Sequence, residues 1–531
     1  MKLLVDMFAC QTYSRFRGIG RYTLSLTCEM AKLRGIHEMT VLADALYPES
    51  LDELRQQFIR LLPPGAFLPY YHEPIKYAPQ QNMESYYQVA ETLIEQAYRV
   101  VAPDIVLTPS LFDSWADGEQ GRVSLPDKKS PFQPRAVILF DLIPYIFHEL
   151  YLDPDPYIHK WFLRRMDLLK KFDLILAISE STRQDAMSIL GLDPDRVVNI
   201  SGAASSHFRK LVLSDAEKQD WLYRLGISRP FVLYIGGNDF RKNMDGALRA
   251  FARLPREITT SHQLVLNDVG DETVFRNKAR ALGLADADLV VFRRRSDEEL
   301  AALYNLCKLF IFPSLYEGFG LPVLEAMICG APVIASNNSS LPEVVGRSDA
   351  LFDASNDQAV TAGIYKALTD DAFRAELAAY GPERAKQFSW QNTAQRAWNA
   401  LESLQERNQL AVPRTIFVSS GQPRLRLAHV SPLPPQKSGV AEYSAVLLPH
   451  LAAHFEIDLF TEPGLQVSDV ALRENFAIYP WTELIARRDN YDAVLYQMGN
   501  SELHIPMMDI LQEIPGIVVS HDFFYSNLPF V

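Results

Sequence analysis

The sequence predicts an α/β protein built on doubly wound, mainly parallel sheets. Three observations carry this. Short apolar runs such as LLVD, VLAD, IVLT and VILF recur along the chain. Helix-periodic stretches separate them, and a crossover helix is what joins one parallel strand to the next. Few polar residues interrupt the runs, as expected of strands covered on both faces. With 531 residues, 48% hydrophobic and 22% charged, the chain has the composition of a soluble globular protein. At about 100–200 residues per domain it accommodates several cores.

The elements follow in order. The first strand is Lys2–Asp6. A polar loop containing Gly18 and Gly20 leads into RYTLSLTCEMAKL, which has helical periodicity. TVLAD, DIVLT, RAVILFD, DLILAIS and RVVNI read as further strands, with a helix over HKWFLRRMDLLKKF. Together they predict a first Rossmann-like domain over residues 1–204. A second series then begins: FVLYIGG, the helix MDGALRAFARL, HQLVLND, DLVVFR, the helix SDEELAALYNLC and KLFIFPS. A helix from Pro322, the strand APVIAS and a short strand near 350–352 complete a second domain over 205–385. Residues 386–406, with Trp390, read as a helix that crosses back onto the first domain. Residues 407–424 read as a linker.

From 425 the opening of the chain repeats. RLRLAHVSPLPPQKSGVAEYSAVLLPHL again gives a strand, a Gly-containing loop, a Tyr and a helix, and GIVVSHDFFY echoes AVILFDLIPY. In this alignment Tyr443 answers Tyr22, His521 answers Phe140, and Asp522 answers Asp141. The expectation is a partial second module over 425–531, ending before a donor half of its own and so forming part of a longer protein.

Charge and cysteines narrow the function. A net charge of −13 argues against a nucleic-acid partner, which needs a basic field. Cys10, Cys28, Cys307 and Cys329 match neither zinc nor CxxC spacing, which suits a reducing, cytoplasmic compartment. The apolar start MKLLV is short and is broken by Asp6, unlike a signal peptide. No run of 18 apolar residues occurs.

The segment 312–346, FPSLYEGFGLPVLEAMICGAPVIASNNSSLPEVVG, concentrates the chemistry. After a buried strand, Gly318 and Gly320 let backbone approach a ligand. Pro322 suits the first turn of a helix. A glycine loop at a strand's carboxyl end then presents backbone N–H groups at a helix N-terminus, an arrangement that binds phosphates. Glu317 and Glu325, eight residues apart, suit one sugar contact and one ribose contact. A turn with a solvated Glu and a capping Glu has the same spacing.

This segment resembles the E-x7-E signature of retaining family 4 glycosyltransferases, which have the two-domain GT-B fold. The resemblance extends over about residues 1–403 and is carried by GFGLP, EAMICGAPVIAS and LPEVVG. It implies two Rossmann-like domains facing a cleft, a sugar nucleotide held by the second, and no essential metal. Glu317 would contact the transferred sugar and Glu325 the ribose hydroxyls. Gly318, Phe319, Gly320 and Leu321 would line the diphosphate and sugar with backbone. Lys242 and Arg241, in IGGNDFRKN, would neutralise the leaving diphosphate; relatives can carry the Arg earlier, where this chain has Gly237. FRGIGRY resembles the family's glycine loop, so Gly18 and Gly20 would allow close approach and Arg21 would supply charge. VILFDLIPY resembles a strand end that often reads His-Asp. Phe140 replaces the His, and Asp141 is left to bind a sugar hydroxyl.

NNSSLPEVVG and the tandem modules resemble bacterial mannosyltransferases that build O-antigen polymannose. They point to GDP-mannose as donor and a glycan or lipid-linked glycan as acceptor, at the inner face of the plasma membrane through partner proteins. A UDP-sugar donor and a non-catalytic sugar-binding scaffold stay open. A hydrolase pair fits less well, because the phosphate-type loop and RKN share one domain. A nicotinamide enzyme would need GxGxxG after a first strand, where this chain reads FACQTYSRFRGIG and IGGNDFRKN.

Overall fold

The computed structural model describes residues 1–70, 94, 98, 101–112, 134–237, 239–267, 271–293, 295–411 and 424–521. The chain divides into two compact units, Met1–Arg414 and Thr415–Val531.

Unit 1 contains two parallel sheets. The first comprises β1 (Lys2–Asp6), β2 (Glu38–Asp44), β3 (Phe67–Tyr70), β4 (Ile105–Thr108), β5 (Arg135–Leu139), β6 (Leu174–Ala177) and β7 (Val197–Asn199). Their order is β3-β2-β1-β4-β5-β6-β7. Every residue of β4, β5 and β6 is buried, which is why these strands read as unbroken apolar runs. β3 was not predicted. It is an edge strand, only half-buried, and carries Pro69, a residue that edges tolerate because a missing N–H costs nothing there.

The second sheet comprises β8 (Phe231–Ile235), β9 (Gln263–Asn267), β10 (Leu289–Val291), β11 (Leu309–Phe312), β12 (Val333–Ser336) and β13 (Leu351–Phe352), in the order β10-β9-β8-β11-β12-β13. The order reverses between β8 and β11. Ligands of doubly wound sheets bind at the carboxyl ends of the strands flanking such a reversal. The loops that leave β8 and β11 carry Arg241, Lys242 and Glu317.

The helix Trp390–Ala411 returns to the first domain and packs on the helix Gly18–Leu33. Trp390 Nε1 donates to the Ala204 carbonyl at 3.1 Å, and buried Trp398 Nε1 donates to the Met30 carbonyl at 3.1 Å. His37 stacks on Trp398 and lies 2.7 Å from Glu402 Oε1. The predicted end of this helix at 406 is corrected, because it runs to Ala411. Arg407 holds the extra turn, with Nη1 on the Asp195 carbonyl at 2.9 Å and Nε on the Ser403 carbonyl at 3.4 Å. The predicted linker over 407–424 therefore begins inside a helix; its residues 412–423 lie outside the described residues.

Unit 2 is one parallel sheet of β14 (Arg426–Val430), β15 (Glu456–Thr461), β16 (Ala477–Pro480), β17 (Ala493–Met498) and β18 (Ile517–Ser520). Its order, β16-β15-β14-β17-β18, reproduces β3-β2-β1-β4-β5. The likeness reaches single contacts. Asp104 accepts the Lys2 N–H at 2.6 Å, and Asp492 accepts the Arg426 N–H at 2.8 Å. Tyr22 meets Phe140 edge-on at 5.2 Å, and Tyr443 meets His521 edge-on at 4.6 Å. The predicted partner Asp522 lies outside the described residues. Among the described residues, no helix is long and apolar enough to cross a membrane.

Candidate active site

The loop after β8 is shaped by its own polar residues. Asp239 caps the short turn Phe240–Lys242 by accepting the Arg241 N–H at 3.0 Å, and its other oxygen accepts Arg241 Nε at 3.2 Å. Asn243 then adopts a left-handed conformation (φ 54°), accepts the Gly246 N–H and donates to the Ala354 carbonyl. This sharp reversal starts the helix Met244–Ala252 and leaves both cations on the cleft side. Asn238 lies outside the described residues.

The loop after β11 meets them. Lys242 Nζ is 2.6 Å from Glu317 Oε1, and Arg241 Nη1 is 2.9 Å from Glu317 Oε2. Ser314 Oγ donates to Glu317 Oε1 at 2.6 Å. The Glu317 carboxylate is buried. Burial alone would raise it, but Lys242 and then Arg241 outweigh burial and hold it below the usual carboxylate range. Burial pushes the Lys242 ammonium down, opposed by Glu317 and aided by Arg241. Burial works against the Arg241 charge as well, but Glu317, Asp239 and Asp141 overcome it and leave the guanidinium firmly protonated.

A lone-pair count sharpens the expectation for Glu317. Oε1 serves Lys242 and Ser314, and Oε2 serves Arg241, so one lone pair on Oε2 is left for a sugar hydroxyl. The first duty of Glu317 is to hold two cations. Arg241 has five N–H donors. Nε goes to Asp239, and Nη1 to Glu317 and the Tyr316 carbonyl at 3.0 Å. Nη2 takes no part in the bonds to Asp239, Glu317 or the Tyr316 carbonyl, and the Tyr151 hydroxyl also lies within the guanidinium's reach. The Arg241 and Lys242 side chains are 19% and 15% exposed, enough for a ligand to reach them.

The NNSS stretch cradles the Glu317 loop. Ser339 Oγ accepts the Glu317 N–H at 2.9 Å, Ser340 Oγ donates to the Glu317 carbonyl at 3.0 Å, and Asn338 Nδ2 donates to the Ser314 carbonyl at 3.2 Å. The glycines beyond it are demanded by space. A Cβ on Gly318 would sit 2.5 Å from the Phe140 carbonyl oxygen and 3.2 Å from Asp141 Cβ. Gly320 has φ 100°, and a Cβ there would meet Leu341 at 2.6 Å. Phe319 turns inward, edge-on to Phe388 at 5.9 Å and against Gly202. The N–H groups of Gly318, Phe319, Gly320 and Leu321 have no hydrogen-bond partner among the described residues. They crowd the start of the helix Leu321–Ile328, where the helix dipole adds positive potential.

Glu325 sits on that helix and accepts from Tyr304 OH at 3.1 Å. Burial pushes its carboxyl up to about 8; the Tyr304 hydroxyl opposes this, nearby Asp297 adds to it, and Arg21 opposes it. Arg21 reaches across from the first domain to Asp297 at 3.2 Å, which places it near Glu325. Gly20 is explained inside its own loop, since a Cβ there would strike Ser14 O at 2.4 Å and Arg15 Cα at 2.5 Å. Gly18 faces open space. Asp141 accepts the Ile143 N–H at 3.1 Å. Burial raises its carboxyl, opposed by Arg241 and that N–H, with Glu317 adding to the rise. Asp141 thus joins the cluster of Glu317, Arg241 and Lys242. Among the described residues, no group of three His, Cys, Asp or Glu side chains is placed to hold a metal ion.

Sequence reasoning did not single out Ser314, Asp239, Tyr304, Tyr151 or Asp185. Asp239 had a local signal, since it stands two residues before Arg241 as a cap. The others are placed only by the tertiary fold.

Comparison with known proteins settles the family. Residues 16–203 match the sequence model of Glycosyltransferase Family 4, and residues 217–384 that of Glycosyl transferases group 1. The O-antigen chain mannosyltransferase B of Escherichia coli is 31% identical over 396 residues, covering 73% of this chain and 96% of that protein. The chain belongs to glycosyltransferase family 4. The serotype-specific mannosyltransferase WbdA of E. coli is 34% identical over 414 residues, 77% of this chain and 49% of WbdA. This family 4 chain thus spans about half the length of the WbdA proteins it matches. The GT-B fold is shared with Anabaena HepE, solved with UDP and glucose, at TM-score 0.53 and 16% identity over 76% of this chain and 100% of HepE. It is shared also with WaaG, a glycosyltransferase involved in lipopolysaccharide biosynthesis, at TM-score 0.51 and 14% identity over 75% of this chain and 98% of WaaG. The two glutamates have unlike surroundings: two cations hold the Glu317 carboxyl low, and burial pushes the Glu325 carboxyl up.

Proposed function

We propose that unit 1 transfers a mannosyl group from GDP-mannose, with retention of configuration, to a glycan or lipid-linked glycan acceptor in O-antigen synthesis. The observation that carries the reading is the Arg241–Glu317–Lys242 cluster beside four unpartnered backbone N–H groups at the β8/β11 reversal. Such a site suits a diphosphate whose charge grows as the bond to the sugar breaks. The mannosyltransferase names of the E. coli relatives support the sugar.

In this reading Arg241 Nη2, Lys242 and the N–H groups of Gly318–Leu321 take the diphosphate. Glu325 takes the ribose hydroxyls. Asp141 and the remaining Glu317 lone pair take sugar hydroxyls. With Glu317 engaged by two cations and Asp141 assigned to a sugar hydroxyl, a front-face route is favoured. The C1–O bond to the phosphate breaks as the acceptor oxygen bonds to C1 on the same face, and the acceptor proton passes to the departing phosphate oxygen. The protein orients the partners and stabilises charge.

On the acceptor side, a cavity of about 450 Å³ opens at the carboxyl ends of β1 and β2, lined by Tyr13, Arg15, Phe16, Tyr47 and Glu49 among others. Exposed rings with a polar rim suit the faces and hydroxyls of a glycan. Work at the inner membrane surface as a peripheral enzyme fits a lipid-linked acceptor.

The test is turnover of a panel of sugar nucleotides with mannose-capped acceptors, with the anomer of the product read by NMR. GDP release from GDP-mannose only when acceptor is present, with an α-linked product, is expected. Turnover of a UDP-sugar but not GDP-mannose would sink the donor assignment. Binding without turnover of any donor would leave a sugar-binding scaffold.

A further inference from the structure

Arg241 does not depend on its own domain alone. Tyr151, in the short helix His148–Tyr151 of the first domain, donates its hydroxyl to Asp239 Oδ1 at 2.5 Å. Asp239 in turn accepts both the Arg241 N–H and Nε. On the far side, the Tyr316 carbonyl accepts Arg241 Nη1, and the Tyr316 hydroxyl donates to Asp185 at 2.8 and 2.9 Å. Asp185 belongs to the helix Glu180–Leu190, also in the first domain. Phe147 stands between the two arms, edge-on to Phe240 at 5.8 Å and to Tyr316 at 5.9 Å.

Two tyrosines therefore cross the cleft in opposite directions: Tyr151 ends on Asp239, and Tyr316, anchored on Asp185, carries the carbonyl that accepts Nη1. A planar guanidinium held at Nε and Nη1 has its Nη2 edge aimed by default. We propose that Tyr151 and Asp185 are positioning residues: through Asp239 and Tyr316 they aim Arg241 Nη2 at the leaving diphosphate, so that the cation is set for transfer only when the first domain is docked. This rests on the reading of Arg241 as a diphosphate ligand. Other polar contacts also cross between the domains, such as Arg21 to Asp297 and the Glu180 N–H to Glu343, but these two converge on one side chain. The consequence is economy of donor use. A donor bound without the first domain in place meets a guanidinium with two of its three fixing contacts unsupported, so its glycosidic bond is less readily broken.

The experiment is a double-mutant cycle on the full chain with GDP-mannose and a mannose-capped acceptor. Tyr151→Phe is expected to lower kcat about tenfold with donor KM within about twofold, because an aim needed at the transition state is lost and ground-state binding is not. In an Arg241→Lys background, which lacks the Nε contact to Asp239, the same Tyr151→Phe change is expected to cost less than about twofold. Asp185→Asn, which keeps an oxygen for the Tyr316 hydroxyl, is expected to recover most of the rate lost in Asp185→Ala. Equal losses from Tyr151→Phe with and without Arg241→Lys, alongside an active wild type, would overturn the relay and leave the function standing. Absence of wild-type turnover on any sugar nucleotide would overturn both.

Discussion

The first domain of unit 1 and the whole of unit 2 follow one plan in different residues. β1 to β5 and β14 to β18 share strand order, a helix after the first strand and a Tyr on that helix facing the end of the fifth strand. They differ in what the Tyr meets. In unit 1 it is Phe140, a ring with no proton to exchange. In unit 2 it is His521, whose Nε2 lies 2.7 Å from Gln497 Oε1. A further difference lies outside the shared plan: in unit 1 the sheet is followed by a second domain bearing Glu317, Arg241 and Lys242. The scaffold of the first domain thus occurs twice among the described residues, and its two copies carry different side chains at the same place.

The sharpest way to break this asymmetry is Glu317→Ala. It leaves two buried cations without their shared carboxylate, and a buried charge stripped of its partner typically costs about 3–5 kcal/mol. Sugar transfer is expected to fall by about a thousandfold or more, with unit 2 intact. Wild-type turnover in this variant would mean that the reaction does not run through unit 1.

A smaller loss is expected from Gly318→Ala, whose Cβ would sit 2.5 Å from the Phe140 carbonyl oxygen. The two domains of unit 1 must part for it to fit, so kcat is expected to drop about tenfold or more while the chain stays folded. Near-normal kcat would show that the contact between Gly318 and Phe140 opens freely.

Glu325 gives a pH signature that unit 2 cannot imitate. Its carboxyl is pushed up to about 8, yet accepting two ribose hydroxyls requires the ionised form. Below that pH, donor binding must release a proton, so affinity is expected to rise with pH by up to about tenfold per unit and level off above about 8. Glu325→Gln is expected to flatten the slope, and Glu325→Ala to weaken donor binding at every pH. An affinity independent of pH between 6 and 8, or a slope that persists in Glu325→Gln, would remove Glu325 from the ribose contact. Titration of GDP-mannose binding by calorimetry in buffers of different ionisation heat reads the proton directly.

The smallest effect is expected from exchanging the residue that faces the Tyr in each scaffold. Phe140→His in unit 1 and His521→Phe in unit 2 each keep an aromatic ring against the facing Tyr. Each is expected to move the thermal midpoint by less than about 3 °C, and His521→Phe to leave unit 1 transfer rates unchanged. A large fall in stability from Phe140→His would show that the two ring pairs are not equivalent.

The sequence carried these features unequally. β4, β5, β6 and β11 were legible because burial on both faces removes polar residues from the run. β3 was not, because an edge strand with Pro69 and partial exposure lacks that pattern. The end of the helix Trp390–Ala411 was set too early, since Arg407 is held by a distant carbonyl on Asp195. The site followed the same rule. Gly318, Gly320 and Glu325 announced themselves through a long motif, and Gly320 through its need for φ 100°. That both cations share Glu317, and that Tyr151 and Asp185 reach in from the other domain, depends on pairs 75 to 131 residues apart. No local spacing encodes such meetings.

The return of Trp390–Ala411 to the first domain has a consequence for the order of assembly. Trp398 donates to the Met30 carbonyl across 368 residues, so the groove on the helix Gly18–Leu33 stays uncovered until almost all of unit 1 has left the ribosome. The second domain is contiguous in sequence and can close on itself first. The first domain of unit 1 is then completed only after the second has been synthesised, and a ribosome stalled before residue 390 would hold a first domain still lacking its clasp.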